Sequence, residues 1–580
     1  MNNKTRWIFI ALWWGCLASL PAQVTTTSQQ LDGLSFKKGL KVGGGLSFSN
    51  TFYQGNNAFI HRDPYAFYLN GNLDVNLWGI SMPLSFAYSN TSKSYTQPFN
   101  RFKLAPSYKW IKLHLGTSSM DFSKYTLAGH QFNGAGVELT PGNWYVGAMY
   151  GRLLKAIDYN PFANNLNAIS YRRTGYAAKV GYSTEGDSYE VSFFSGADDP
   201  NSLKYDIPEE VFLHPKKNTA VSGNVRKSFL KYFYVQAEYA FSIYNSEIRN
   251  RNGEKAETSN MLGNLLGEQA TDKFVDAVNG SIGYQNPVWG LAFKYERVAP
   301  NYETLGGYYF TNDLENFTLA PNVRLFGGKI SVAGNIGLEY NNLNNSLMNN
   351  THRIVGAGNI NYSSGEAWNA GFSYSNFSTY TRVNPNNYPF YTDALDSLNF
   401  YQVSQSFASN VSYMFGKESV SNTISLNGSF QNGNAQANAK RTSFNEYLSG
   451  SLSYAQQFKP LSFGWSSYFS ANYCNADSFN SFYWGPGVSI NKSFWKNSLS
   501  SALSCAYNAN TVSGEPAGSL LNTSLSMSYQ VKAINEKFGR HGFSFNVNLT
   551  NRLGDAPRQG SNTNEKEYQF LTTLAYRVSF

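Results

Sequence analysis

The chain has 580 residues, with 46 Lys and Arg against 37 Asp and Glu and a formal charge of +9. Only 14% of its residues are charged, against roughly 25% in ordinary soluble domains, while 16% are aromatic. Its polarity therefore comes from Asn, Ser, Thr, Gln and Gly. That excludes a nucleic-acid arm, and the period-two recurrence of Tyr, Phe, Leu and Val excludes low-complexity disorder.

Lys4 and Arg6 precede an apolar run from Trp7 to Leu20, and small residues lead to a cleavage point after Ala22. Residues 1–22 read as a secretory signal peptide. Cys16 follows Trp13-Trp14-Gly15, a poor context for lipidation. Beyond the leader no run of about 18 apolar residues occurs, so no helix is expected to span a bilayer. A short periplasmic segment, 23–37, leads into the first alternating stretch.

In that stretch, 38–52, Leu40, Val42, Gly44, Leu46 and Phe48 face one way and Lys41, Gly43, Ser47 and Ser49 the other. A hairpin follows, Phe67 to Leu77 through Trp78-Gly79 into Ile80 to Tyr88. The pattern repeats to the end of the chain as about 26 segments, each long enough for a tilted strand to cross a membrane. Connections after even-numbered segments are tight, as at Trp78-Gly79, Pro141-Gly142-Asn143 and Gly327-Gly328. Those after odd-numbered segments are longer and polar, as at 54–64, 157–169, 198–217, 246–273, 380–399 and 554–567. Short turns alternating with long loops predict an all-β fold, a transmembrane antiparallel up-and-down β-barrel of about 26 strands (24–28) over residues 38–580. The first strand starts within about 20 residues of the cleavage point, which leaves no room for an N-terminal plug domain. Pro106 and Pro321 fall inside expected strands, where each removes a ladder donor.

The longest connection carries Met261, Leu262, Leu265 and Leu266 at the spacing of one helical face. It reads as a surface loop with a helical turn, or as an inward-folded constriction of the lumen. Alternation sends Lys41, Asp74, Glu138, Arg173, Lys179, Glu238, Lys294, Glu296, Arg324, Lys329 and Glu339 inward. On the lipid face a Lys or Arg near the midplane would cost about 2–4 kcal/mol. Both signs are present, so the lining reads as a hydrated wall with local ion pairs, or as a weakly anion-favouring selectivity surface. Cys474 alternates with Tyr468, Ser470 and Asn472 toward the lumen, whereas Cys505 alternates with Leu503 and Tyr507 toward lipid, so no disulfide is expected.

Catalytic and metal-binding patterns are missing. The six histidines are scattered and no Gly-x-Ser-x-Gly elbow occurs. Gly134-Ala135-Gly136 and Gly356-Ala357-Gly358 lie within strands and lack the third glycine of a dinucleotide fingerprint. No enzyme, metal or cofactor is called for.

In the last segment Tyr568, Phe570, Leu574, Tyr576, Val578 and Phe580 share one face. A terminal Phe behind alternating aromatics resembles the closing strand by which outer-membrane barrels are recognised and assembled. Together with the Ala22-Gln23 junction and the Asn/Tyr/Phe-rich strands, it resembles outer-membrane barrel proteins of the Bacteroidota. The stretch Ala299-Pro300-Asn301-Tyr302-Glu303-Thr304-Leu305-Gly306, followed by Asn312 to Asn316, is similar to a segment of largely uncharacterised members. The resemblance implies an outer-membrane location, with lipid and the barrel-assembly machinery as partners, and names no substrate. A barrel this wide without a plug must be flattened, filled by its own loops, or occluded by a periplasmic or lipoprotein partner. Two functions fit: a conduit for a bulky or polar substrate, and a non-transporting surface scaffold with an occluded barrel.

Overall fold

The computed structural model describes residues 34–37, 39–56, 63–90, 100–159, 169–205, 207, 213–249, 273–308, 311–344, 352–365, 367–376, 381–382, 399–400, 403–437, 440–476, 479–531, 539–553 and 567–580. They form a closed antiparallel barrel of 26 strands, each hydrogen-bonded to the next and the last to the first. The strands are β1 (Leu40–Gly55), β2 (Tyr65–Leu77), β3 (Ile80–Ser89), β4 (Arg101–Leu104 with Ser107–Tyr108), β5 (Ile111–Asp121), β6 (Ala128–Leu139), β7 (Trp144–Leu154) and β8 (Arg172–Ser183). Next come β9 (Ser188–Asp199), β10 (Lys217–Phe229), β11 (Phe233–Asn245), β12 (Lys273–Gln285), β13 (Trp289–Val298), β14 (Leu314–Leu325), β15 (Ile330–Asn341), β16 (His352–Ser363) and β17 (Trp368–Ser375). The circuit ends with β18 (Val403–Lys417), β19 (Val420–Ala437), β20 (Lys440–Phe458), β21 (Phe463–Ala476), β22 (Phe479–Phe494), β23 (Leu499–Val512), β24 (Glu515–Val531), β25 (Arg540–Leu553) and β26 (Tyr568–Ser579). No described helix is long and apolar enough to cross a membrane.

Alternation determines which face each side chain takes. Phe48, Phe52, Tyr176, Val180, Ile336, Leu338, Leu426 and Leu452 are exposed outward as large apolar groups, which a lipid-facing surface requires. Trp78, Trp110, Trp144, Trp289, Trp368 and Trp495 all sit in or beside a short turn. This aromatic girdle marks one membrane interface and, with the short turns, the periplasmic end. Outward charges gather near the opposite rim: Arg297 meets Asp276 at 3.3 Å, and Arg172 pairs with Asp199. Near an interface such charges cost far less than at the midplane.

The prolines show how a closed ladder tolerates missing donors. β3 and β4 pair at Ser81–Ser107 and Leu84–Leu104, and the break between them contains both Pro83 and Pro106. Two absent N–H groups are thereby confined to one interruption, bridged by Ala105 N–H to Pro83 O at 2.9 Å. Pro321 and Pro486 each fall in a two-residue gap of pairing with the next strand. Pro83 and Pro486 were as visible in the sequence as Pro106 and Pro321.

The barrel closes at Gly44, whose N–H donates to Phe580 O at 3.1 Å and whose carbonyl accepts from Phe580 N–H at 3.4 Å. Gly44 has φ +125°, and a Cβ there would lie 2.3 Å from Asn72 O, so only glycine fits this corner. Below it, Leu34–Lys37 pairs with Leu40–Val42, taking the edge of β1 that β26 leaves open. Of the aromatic face of β26, Phe570 is exposed and Tyr568, Leu574, Tyr576 and Phe580 are half-buried. Val578 departs from lipid exposure: flanked by Leu46 and His541 across the ladder, it is fully buried. Lys329 lies one residue before β15, in the turn after Phe326–Gly328, beside Ser331, Asn361 and Asn410 of the inward face. Gly327 at φ 67° and Gly328 at φ 93° end pairing before it.

Candidate functional site

Two long-end connections fold into the lumen. They are 122–127, between β5 and β6, and 299–308 with 311–313, between β13 and β14. Tyr302 and Tyr125 are fully buried and meet edge to face with ring centroids 5.9 Å apart. Tyr302 Oη donates to Tyr125 O at 2.8 Å, Thr304 Oγ1 to Thr126 O at 2.6 Å, and Ala128 N–H to Gly306 O at 2.9 Å. A Cβ on Gly306 would lie 2.4 Å from Thr126 O, so the two backbones approach this closely only because the residue is glycine. Beneath them, Phe122, Leu127 and Leu305 of these connections join Phe132, Met149, Leu153 and Phe194, on inward faces of β6, β7 and β9, in an apolar cluster inside the barrel. Ala240, Ala277 and Val298 do the same under the two tyrosines.

Polar contacts tie these loops to the wall. Asn218 of β10 is fully buried. Its Nδ2 donates to Ser242 Oγ at 2.7 Å, Ile243 O at 3.1 Å and Glu303 O at 3.3 Å. Its Oδ1 accepts from Leu305 N–H at 3.1 Å. Ser242 Oγ also donates to Glu303 O, at 2.7 Å. Ser123 and Lys124 contact Glu238 and Glu296, and Tyr125 Oη donates to Glu296 at 2.8 Å. Burial, then the Glu296 charge, pushes the Tyr125 phenol far above its ordinary range, so it stays a donor. Glu238 and Glu296 are thus anchors for the inward loop as well as lining residues.

The remaining sequence-chosen charges spread over β1 to β15. Glu138 holds Lys112 at 3.0 Å and the buried His114 Nε2 at 2.8 Å. Arg173 forms a two-pronged pair with Asp198, at 2.8 and 3.1 Å. Lys179 meets Glu190 at 3.0 Å and Phe122 O at 3.0 Å. Asp74 accepts from Ser81 Oγ at 3.0 Å. Alternation turns Lys41, Lys294 and Arg324 inward as exposed groups, and Glu339 is buried on β15. Met261, Leu262, Leu265 and Leu266 lie outside the described residues. The inward loops seen are therefore not the one singled out by helical spacing. Their signal was Tyr125-Thr126-Leu127 and Tyr302 with Leu305: large apolar side chains in connections that, at the surface, would have nothing to pack against.

The wall from β16 to β26 differs in kind. A cavity of about 1090 Å³ runs along it, lined by β16 to β21, β23 to β26 and Tyr53 of β1. The described lining holds eight asparagines, among them Asn410, Asn427, Asn472 and Asn548, and eight serines, with no Asp, Glu, Lys, Arg or His. Cross-strand hydroxyl pairs stitch it together: Ser429–Ser449 at 2.6 Å, Ser466–Ser489 at 2.8 Å and Ser504–Ser524 at 2.6 Å. Cys474 is buried on the inward face beside Tyr483, and Cys505 is exposed on the outward one; both are free thiols. The described residues contain no cluster able to hold a metal.

No protein-family model matches the chain, and no curated protein matches it. Among solved structures it is similar to the FrpB iron transporter from Neisseria meningitidis, at 8% identity and TM-score 0.34 over 93% of this chain and 82% of that one. It is similar to the ferric citrate transporter FecA in its unliganded form, at 10% identity and TM-score 0.36 over 92% and 78%. The P pilus usher (PapC) translocation pore gives 9% identity and TM-score 0.27 over 93% and 99%. Likenesses this distant carry no functional weight. What the chain's own geometry establishes is a closed antiparallel barrel with an apolar, aromatic-girdled exterior: an outer-membrane β-barrel.

Proposed function

We propose that this barrel is an outer-membrane conduit for polar solutes, and that the passage follows the β16–β26 half of the lumen. One observation carries the reading: the cavity of about 1090 Å³ lies along an uncharged polar wall, while the inward loops and their apolar cluster occupy the other half. A scaffold needs no hydrated wall of amides and hydroxyls. The loops serve as a built-in filling for a barrel this wide. A periplasmic or lipoprotein partner is the second means of sealing it.

The second reading, a non-transporting surface scaffold, is favoured by the packed half, where Tyr125, Phe194 and Tyr302 are fully buried inside the lumen. Planar-bilayer recording of the purified chain separates the two. The conduit gives steady conductance, and the scaffold gives none. Gentle extraction from the native membrane with mass spectrometry tests the partner: a stoichiometric periplasmic or lipid-anchored protein supports it, and a chain that comes away alone removes it.

A further inference from the structure

Taking the conduit reading as its basis, we infer that the uncharged wall is a binding track for neutral polyhydroxylated solutes, the oligosaccharide class. The chemistry of the wall selects them. A carboxamide offers two N–H donors and an acceptor oxygen, and a serine hydroxyl offers one donor and two lone pairs. A sugar hydroxyl also donates and accepts, so it is satisfied by either partner without a proton change. Adjacent strands stand about 4.8 Å apart and alternate residues along one about 6.8 Å, which repeats these groups as a grid. Asn410, Asn427, Asn472, Asn522 and Asn548 occupy five strands of that grid.

Charge selects against the alternatives. An ion entering this cavity gives up hydration and meets no counter-charge among the residues lining it, and at the mouth Arg552 and Glu567 already neutralise each other at 3.5 Å. In the other half, Glu138, Asp198, Glu190 and Glu296 each already hold a cation. Tyr53 and Tyr468 add flat apolar faces within the cavity, suited to the C–H face of a sugar ring.

Buried polar atoms without a protein partner supply the independent observation. Gln569 lines the cavity at 5% exposure, and its Nε2 has no partner among the described residues. Toward the long-loop end, Asn510 at 3% exposure has neither amide atom paired, and Ser481 at 1% has its hydroxyl unpaired. Both sit on the inward alternation of β23 and β22. Buried groups of this kind are rare because each costs free energy unless something bonds it. Here they lie at the mouth of the grid.

The test is calorimetric binding of maltohexaose, cellohexaose and chitohexaose to the detergent-purified full chain, beside bilayer conductance of the same preparation. Polyethylene glycol of matched size, which only accepts hydrogen bonds at its ethers, and hexaglutamate are the controls. At least one hexaose is expected to bind tenfold or more tighter than either control. Asn427→Leu and Asn548→Leu should each weaken it by roughly fivefold, the effect of losing one ordinary hydrogen bond. Asn427→Asp keeps the shape if the leucine variant fails to fold, and should weaken binding too. Leu426→Ala, on the opposite face of β19, should leave it unchanged. Conductance without preferential hexaose binding overturns the inference and leaves the conduit standing. Hexaose binding without conductance supports the track and overturns the conduit. Neither result sinks both.

Discussion

Asn218→Leu tests whether the 299–308 loop is held in the lumen by its wall contacts. The substitution keeps the branched shape and heavy-atom count but removes four hydrogen bonds, two of them to the loop: Nδ2 to Glu303 O at 3.3 Å and Oδ1 from Leu305 N–H at 3.1 Å. Glu303 O keeps its bond from Ser242 Oγ at 2.7 Å, so the main loss falls on the buried Leu305 N–H. An orphaned buried donor costs about 1–3 kcal/mol, and about 2 kcal/mol corresponds to a roughly 30-fold larger population of the released loop. Hydrogen exchange by mass spectrometry across 299–308 should therefore accelerate about 30-fold. Exchange along β18 to β24 should not change, because those strands do not touch the loop. Open-channel noise should rise with it. If the 299–308 amides exchange at the wild-type rate in a variant that still runs as a folded barrel, Asn218 does not hold the loop.

Three further outcomes follow from particular contacts. Glu138→Gln leaves Lys112 and His114 without their carboxylate; a unit charge in water is worth about 0.4 kcal/mol at about 10 Å and less farther off, and Glu138 stands across the lumen from the passage, so the anion-to-cation permeability ratio read from reversal potentials should rise by no more than about twofold. Gly44→Ala forces a side chain into φ +125° and against Asn72 O, a strain of order 1–3 kcal/mol at the closing seam. Both it and deletion of Phe580 should lower the heat-modifiable folded fraction recovered from the outer membrane. In the β8–β9 turn, hydrogen bonds from Lys227 and from Ser228 N–H hold the Asp187 carboxyl below its ordinary 3.8. Its contribution is present above that ordinary value and fades as pH falls through the depressed one. NMR should place its midpoint below that of a free aspartate, and Asp187→Asn should make the turn insensitive to acid.

Strand number and the alternation of turns and loops were legible because period-two patterning and connection length report them directly. The inward loops were not legible as such. Nothing in Tyr302-Glu303-Thr304-Leu305 says that its partner is Tyr125-Thr126 from a hairpin far earlier in the chain, since that contact depends on the curvature of the closed barrel. The apolar spacing at Met261 to Leu266 reports a face of another connection, which lies outside the described residues. The neutral wall was in plain view as the Asn and Ser of the later strands. It becomes a site only once the barrel separates them from the charges of β1 to β15.

The central claim is that passage follows the uncharged half, and thiol accessibility tests it most directly. In a Cys474→Ser, Cys505→Ser background, Ser451→Cys places a thiol on the uncharged wall and Ala240→Cys places one under the inward loops, where Ala240 is fully buried. A charged, membrane-impermeant thiol reagent added during bilayer recording should cut the conductance of the Ser451→Cys channel in a single step. It should leave the Ala240→Cys channel unchanged. Block at Ala240→Cys with none at Ser451→Cys would place the passage in the loop-filled half and contradict the account.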